Sequence, residues 1–187
     1  MSTTYYKVLN EDGSCYHGGK GKWHLPKNGK PGRWMPTIKG KLRACENGYH
    51  IVSEEHLVEW LGPAIYLVEH GKQCVFASNK VVTNRARLWS RLSSWNERIA
   101  RLFAADCAEH VLPYFESQYP DDQRPREAIA TARRFANGLA TRKELFTAWD
   151  AAKAAAEAGA AAGVAAWAAT QVAAQAAERR SVPRSEQ

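Results

Sequence analysis

The sequence predicts an α+β protein, with a small, basic, β-rich N-terminal domain over residues 1–83 followed by an Ala-rich α-helical bundle over 84–180. Three observations carry this reading. Residues 18–40 hold six glycines, three prolines and two tryptophans, a composition that excludes a long helix or an interior strand. From Asn84 onward, apolar residues recur at intervals of three and four. Between Ala148 and Glu178, 18 of 31 residues are alanine, the best helix former. A final tail, 181–187, is expected to be disordered. With 187 residues, 45% of them hydrophobic and 24% charged, the chain is long enough to bury a core. A collagen-like repeat, a fully disordered chain and a disulfide-dense miniprotein are all excluded.

In order, Tyr5-Tyr6-Lys7-Val8-Leu9 is a β-prone run, and Asn10-Glu11-Asp12-Gly13 carries turn chemistry. Ser53 is placed to cap a short helix whose first turn holds Glu54 and Glu55, and Gly62-Pro63 stops it. Ala64–Val68 and Cys74–Phe76 flank His70-Gly71 and read as a β-hairpin. Leu88, Leu92, Trp95, Ile99, Leu102 and Phe103 then form the stripe of a first helix, which Pro113 ends or kinks. A second helix opens near Arg124-Pro125 and closes at Asn137-Gly138. Thr141-Arg142-Lys143-Glu144 is a capping box that starts a third helix, expected to reach about Arg180. Along it, Trp149 and Trp167 lie 18 residues apart, close to five whole turns, and Gly159 and Gly163 share a face. Small side chains allow close backbone approach, so these four residues are the expected interface of a homo-oligomer.

Charge is segregated. The chain carries a net +7, and the first 43 residues account for all of it: nine basic residues against Glu11 and Asp12. The other 144 residues hold 17 basic and 17 acidic side chains. A basic front on a neutral body steers acidic or phosphate-bearing partners towards it, although the same residues also serve as a solubilising surface. Gly18-Gly19-Lys20-Gly21-Lys22-Trp23-His24 and Lys30-Pro31-Gly32-Arg33-Trp34 interleave small, basic and aromatic residues. Lysines and exposed amides cradle phosphates, and Trp and Arg stack on bases. The alternative is that Trp23 and Trp34 plug a small sheet. The candidate partner-binding residues are Lys20, Lys22, Trp23, Arg33, Trp34, His50, Arg124 and Arg126.

No Walker loop or dinucleotide fingerprint occurs in context, so no cofactor is expected. Cys15, His17, Cys45 and His50 or His56 make a weak four-ligand set without the tight knuckles of structural zinc, and no metal is expected. Cys107 and His110 share a helix face, but nothing else supports a Cys–His nucleophile. Asp106, Glu109, Arg124, Arg126 and Glu127 crowd a helix–helix corner, where Arg124 or Arg126 pairing with Asp106 or Glu109 would fix the corner. The cysteines, Cys15, Cys45, Cys74 and Cys107, lack paired spacing, and no apolar leader opens the chain; free thiols in a cytoplasm are the expectation. Residues 158–177 are uncharged but mostly alanine, without Leu, Ile or Phe, so no membrane span is expected.

Two stretches resemble known families. Cys45-Glu46-Asn47-Gly48-Tyr49-His50, after a short strand and a basic stretch, resembles a domain of unknown function common in phage proteins. Arg101-Leu102-Phe103-Ala104-Ala105-Asp106-Cys107-Ala108-Glu109-His110-Val111-Leu112-Pro113, followed by Asp122-Gln123-Arg124-Pro125-Arg126-Glu127-Ala128-Ile129, resembles the immunity-protein family of bacterial toxin systems over roughly residues 95–177. That resemblance implies a helical fold that acts by binding, with no catalytic residues to carry over. The expected function is therefore a non-catalytic inhibitor of phage–bacteria conflict, of the immunity or anti-defence type. It would engage an acidic protein, a nucleotide or a nucleic acid through its basic N-terminal loop. A sequence-tolerant nucleic-acid binder is the alternative. A nucleotide-using enzyme of the ADP-ribosyl transferase kind around Gly48-Tyr49-His50 is the less favoured third.

Overall fold

The architecture was read from a computed structural model, which describes residues 3–158. An antiparallel sheet at the front is followed by three helices, an α+β arrangement. The chain divides after Trp95 into two units, 12 residues beyond the expected boundary after residue 83.

The first unit is a six-stranded sheet: β1 (Tyr5–Leu9), β2 (Tyr49–Ser53), β3 (Ala64–His70), β4 (Cys74–Ala77), β5 (Lys80–Thr83) and β6 (Ala86–Arg91). A 3-10 helix, Glu54–Trp60, follows β2. Strand order is β4-β5-β2-β1-β3-β6, and every pairing is antiparallel. The expected hairpin between β3 and β4 does not form. Gly71 N–H donates to Arg85 O at 2.7 Å and Asn84 N–H to Gln73 O at 3.3 Å, so the link after β3 runs beside the start of β6. β4 turns back at Ser78-Asn79 to pair with β5, and β3 pairs with β6 instead.

The helix expected from Asn84 is strand β6. Ala86 and Leu88 are fully buried while Arg85 and Trp89 are exposed, an alternation with the period of two that belongs to a strand. Leu88 therefore fits both patterns, and its sheet partner Val68 decides between them.

Residues 10–48 make a long excursion that covers the β1, β3 and β6 side of the sheet. Leu9, Ala64, Tyr66, Ala86 and Leu88 form a core with Trp23 and Met35 from the excursion. Gly13 N–H closes the expected turn on Asn10 O at 3.0 Å, and Trp23 N–H donates to Gly13 O at 2.8 Å. Lys27 and Lys30 exchange two backbone bonds around Asn28-Gly29, both at positive φ, which is a tight turn of the mirror-image type. Gly32, Met35 and Ile38 then donate to Leu88, Ala86 and Asn84 carbonyls at 2.8–2.9 Å, so the excursion lies along the outer edge of β6. At Gly32 a Cβ would lie 1.9 Å from the His24 carbonyl oxygen, so only glycine allows this close pass.

The second unit holds α1 (Glu97–Glu116), α2 (Arg124–Ala136) and α3 (Arg142–Ala158). Asn96 caps α1, its side chain accepting from Ile99 N–H at 3.1 Å. Pro113 does not end α1, which continues to Glu116. Leu112 and Phe115, both buried, hold the turn around it, and Ser117 N–H donates to Pro113 O at 3.0 Å. Pro125 sits in the first turn of α2, where its missing N–H costs nothing, and Gly138 at φ 73 follows its end. The capping box is formed: Glu144 N–H donates to Thr141 Oγ1, while Glu144 Oε2 accepts from Thr141 N–H at 2.7 Å. Ala105, Ala108, Leu112, Ile129, Ala132 and Leu145 make the helical core, in which alanines bring α2 close to its neighbours. The expected run of the third helix to Arg180, its glycines and the tail lie outside the described residues.

Candidate functional site

Within the first unit, strands β1, β2 and β5, the 3-10 helix and the loop at 17–19 line a half-open cavity of about 240 Å³. Lys7, Lys80, His17, His50, Cys45 and Trp60 line it together with Gly18 and Gly19. Lys7 arrives there by strand periodicity. It stands two residues before the core residue Leu9, so it takes an inward position with its ammonium 5.4 Å from the centre of the Trp23 ring. Lys7 Nζ donates to His50 O at 3.0 Å, and burial pulls its pKa below the ordinary lysine value. Lys80 Nζ donates to Cys45 Sγ at 3.2 Å and lies 5.0 Å from the Trp60 ring centre.

His50 Nε2 accepts from Cys45 N–H at 2.8 Å. That acceptor role leaves the ring neutral with its proton on Nδ1. Burial lowers the His50 pKa first, and the charges of Lys7 and Lys80 lower it further. His17 Nε2 bonds to Trp60 O at 2.7 Å, so a donated proton sits on that nitrogen. No carboxylate lines the cavity. The Tyr6 hydroxyl, also in the lining, has its pKa raised by burial and then by Glu54.

Of the candidate partner-binding residues only His50 lines this cavity, beside the Gly18-Gly19 turn and two members of the weak four-ligand set, His17 and Cys45. Lys20 is exposed on the same loop, and Lys22 is tied to Asp12 at 3.1 Å. Two Ser14 hydrogen bonds, from hydroxyl and amide, hold the Asp12 carboxyl far below its usual range, with Lys22 adding to the effect. Trp23 is a correction: at 4% exposure it is a core residue packed edge-on against Tyr49, and no base can stack on it. Arg33 is exposed, and Trp34 is half-buried beneath Arg85 and Arg87, 4.3 and 4.8 Å from its ring centre. Trp89, 50% exposed, also lies near Arg87, its ring centre 5.5 Å from the guanidinium. These residues form a cationic, aromatic surface that the basic-loop motif pointed to only in part.

In the helical unit the expected charge partners are exchanged. Arg124 pairs with Asp122 at 2.6 Å and Arg126 with Glu116 through two hydrogen bonds, because both acceptors lie on the connection or helix end nearest them. Asp106 and Glu109 instead share Arg133 from α2, at 2.8 and 2.5 Å. Arg134 closes on Glu144 at 3.0 Å. Trp149 is half-buried, and its indole Nε1 is buried without a hydrogen-bond partner among the described residues. Gly159, Gly163 and Trp167 lie outside the described residues.

Lys7, Lys80 and Trp60 were missed in the sequence. For Lys7 a signal exists, a lysine at the inward position of an otherwise apolar strand. For Lys80 and Trp60 none does, because only sheet order brings them to Lys7. Cys45, Cys15, Cys74 and Cys107 are all free thiols. Among the described residues no three His, Cys, Asp or Glu side chains converge on a metal position, and no helix is long and apolar enough to cross a membrane.

No curated protein and no solved structure matches the chain. The family comparison does find a match, and it starts inside β6 and takes in all three described helices. Residues 90–181 of this chain match the family described as Imm-5 like putative immunity protein.

Proposed function

We propose that the chain is an immunity-type inhibitor, a non-catalytic protein of bacterial or phage conflict that neutralises an acidic protein partner by binding it. The observation that carries the reading is the family assignment of residues 90–181. Charge distribution supports the choice of face. The described arginines Arg124, Arg126, Arg133 and Arg134 of the helical unit are engaged with carboxylates of their own chain. In the front unit Lys20, Arg33 and Arg85 have no carboxylate partner among the described residues, and Arg85 lies over the Trp34 ring. Tryptophan and arginine are the residue types that concentrate binding energy in protein interfaces. With Trp23 in the core, one of the two rings a nucleic-acid reading relied on is withdrawn, which favours a protein partner. The Ala-rich stretch of sequence that carries Trp149, Gly159, Gly163 and Trp167 is proposed to join copies of the chain, which sedimentation of wild type and Gly159→Leu/Gly163→Leu would test.

Growth rescue tests the main reading. The chain is co-expressed in a bacterium with each of a set of toxin domains, and rescue by wild type identifies the partner. Lys20→Glu/Lys22→Glu/Arg33→Glu should then lose rescue while keeping its helical circular dichroism. Full rescue by this variant would move the contact to the helical unit, and absence of rescue or binding across toxins with acidic surfaces would sink the immunity reading.

A further inference from the structure

We propose that the cavity beside His50 is a binding site for a small oxyanion, a phosphoryl or carboxylate group on a small carrier. The inference goes beyond the inhibitor reading and rests on different residues. Lys7 and Lys80 both line the cavity, and both act on the same imidazole. An ammonium has three donors. Lys7 uses one on His50 O and Lys80 one on Cys45 Sγ, and neither meets a carboxylate among the described residues. Lys7 is drawn out of bulk water while Lys80 stays partly exposed, and an anion held in the cavity supplies the counter-charge that neither lysine finds among the described residues.

The rest of the lining fits the same class of ligand. Gly18 and Gly19, at φ 87 and 88, place side-chain-free backbone at the cavity wall. Trp60 anchors the Lys80 ammonium by its ring face and is itself fixed by Nε1 donation to Asn79 O at 3.1 Å. A volume of about 240 Å³ is room enough for a phosphate with a small substituent. It is smaller than the ~300–1,000 Å³ of sites that bury larger ligands, which points to a small carrier.

Two exposed thiols provide the assay. Cys45 lies in the cavity wall next to Lys80, whereas Cys107 stands on α1. The full chain is alkylated with iodoacetamide while inorganic phosphate or benzoate is titrated in, at ionic strength matched with chloride, and the two cysteines are followed by peptide mass. We expect saturable protection of Cys45, at least fivefold, with Cys107 unchanged. Protection by phosphate identifies a phosphoryl site and protection by benzoate a carboxylate site. Lys7→Met, which does not touch Cys45, should raise the midpoint at least tenfold. Lys80→Met read by phosphorus NMR line width should do the same, and it serves if Lys7→Met does not fold. Lys20→Glu/Lys22→Glu/Arg33→Glu should leave the midpoint in place. No protection up to tens of millimolar, equal protection by chloride, or a midpoint that follows the loop variant and ignores both lysine variants would overturn the site.

Discussion

In the helical unit Arg124, Arg126, Arg133 and Arg134 each close on a carboxylate, whereas in the sheet unit Lys20, Arg33 and Arg85 close on none among the described residues. Exposed ion pairs of this kind contribute only ~0–1 kcal/mol each, so the difference is not mainly one of stability. It is a difference between these particular surfaces, since Lys22, Arg43, Arg87 and Arg91 of the sheet unit are themselves paired with carboxylates. A guanidinium already held by a carboxylate presents a near-neutral surface, while an unpaired one keeps its field. Cohesion follows a different division: large rings and a long covering loop in the sheet, small side chains in the helices.

The largest expected effect tests the sheet side of that contrast. Trp23→Ala removes the ring that joins the excursion to the core and should cost about 3–5 kcal/mol, read as a lowered urea midpoint by near-ultraviolet circular dichroism. A loss below about 1 kcal/mol would mean the excursion holds without its plug. On the helical side, Thr141→Ala breaks the capping box and should cost ~0.5–2 kcal/mol in far-ultraviolet melts. Arg133→Ala, which frees Asp106 and Glu109, should cost no more than ~1 kcal/mol in the same melts. A cost several times larger would show that this bridge, rather than the alanine packing, holds α1 to α2.

Acidification sharpens the contrast from the sheet side. The folded His50 titrates below its ordinary value near 6.5, so the unfolded chain takes up the proton first. Its contribution is present above about pH 6.5 and is lost as pH falls from there towards the folded value. Protonation also removes the acceptor for Cys45 N–H. The melting temperature of wild type should therefore drop between pH 7 and 5, and His50→Gln, whose amide oxygen still accepts, should flatten the drop. In the helical unit Asp122 and Glu144 are held below the usual range by Arg124 and by Thr141, so their contribution is lost only at pH below about 4.

Much of this fold is legible locally. The Asn10–Gly13 turn, the Gly62-Pro63 stop, the entry at Arg124-Pro125 and the capping box at Thr141 depend on side chains within a few residues, and all four stand in the structure. The misreadings involve partners distant in sequence. Leu88 suits a helix stripe until Val68 is set opposite it, and Cys74–Ala77 suits a hairpin with β3 until Ser78-Asn79 turns it onto β5. The cavity was hidden for the same reason, since Lys7, His50 and Lys80 meet only through the order β5-β2-β1.

That order has a consequence for how the chain acquires its shape. β1 leaves the ribosome first yet lies between β2 and β3, whose partner residues stand more than 40 positions later. The growing chain must carry an unmated Tyr5–Leu9 until at least Ser53 has emerged, and the six strands close only after Arg91. Helices α1–α3 need no such wait, because each packs on the next within a few tens of residues. High contact order slows folding, so the sheet sets the pace of maturation and the helical part, made after it, is ready soon after it appears.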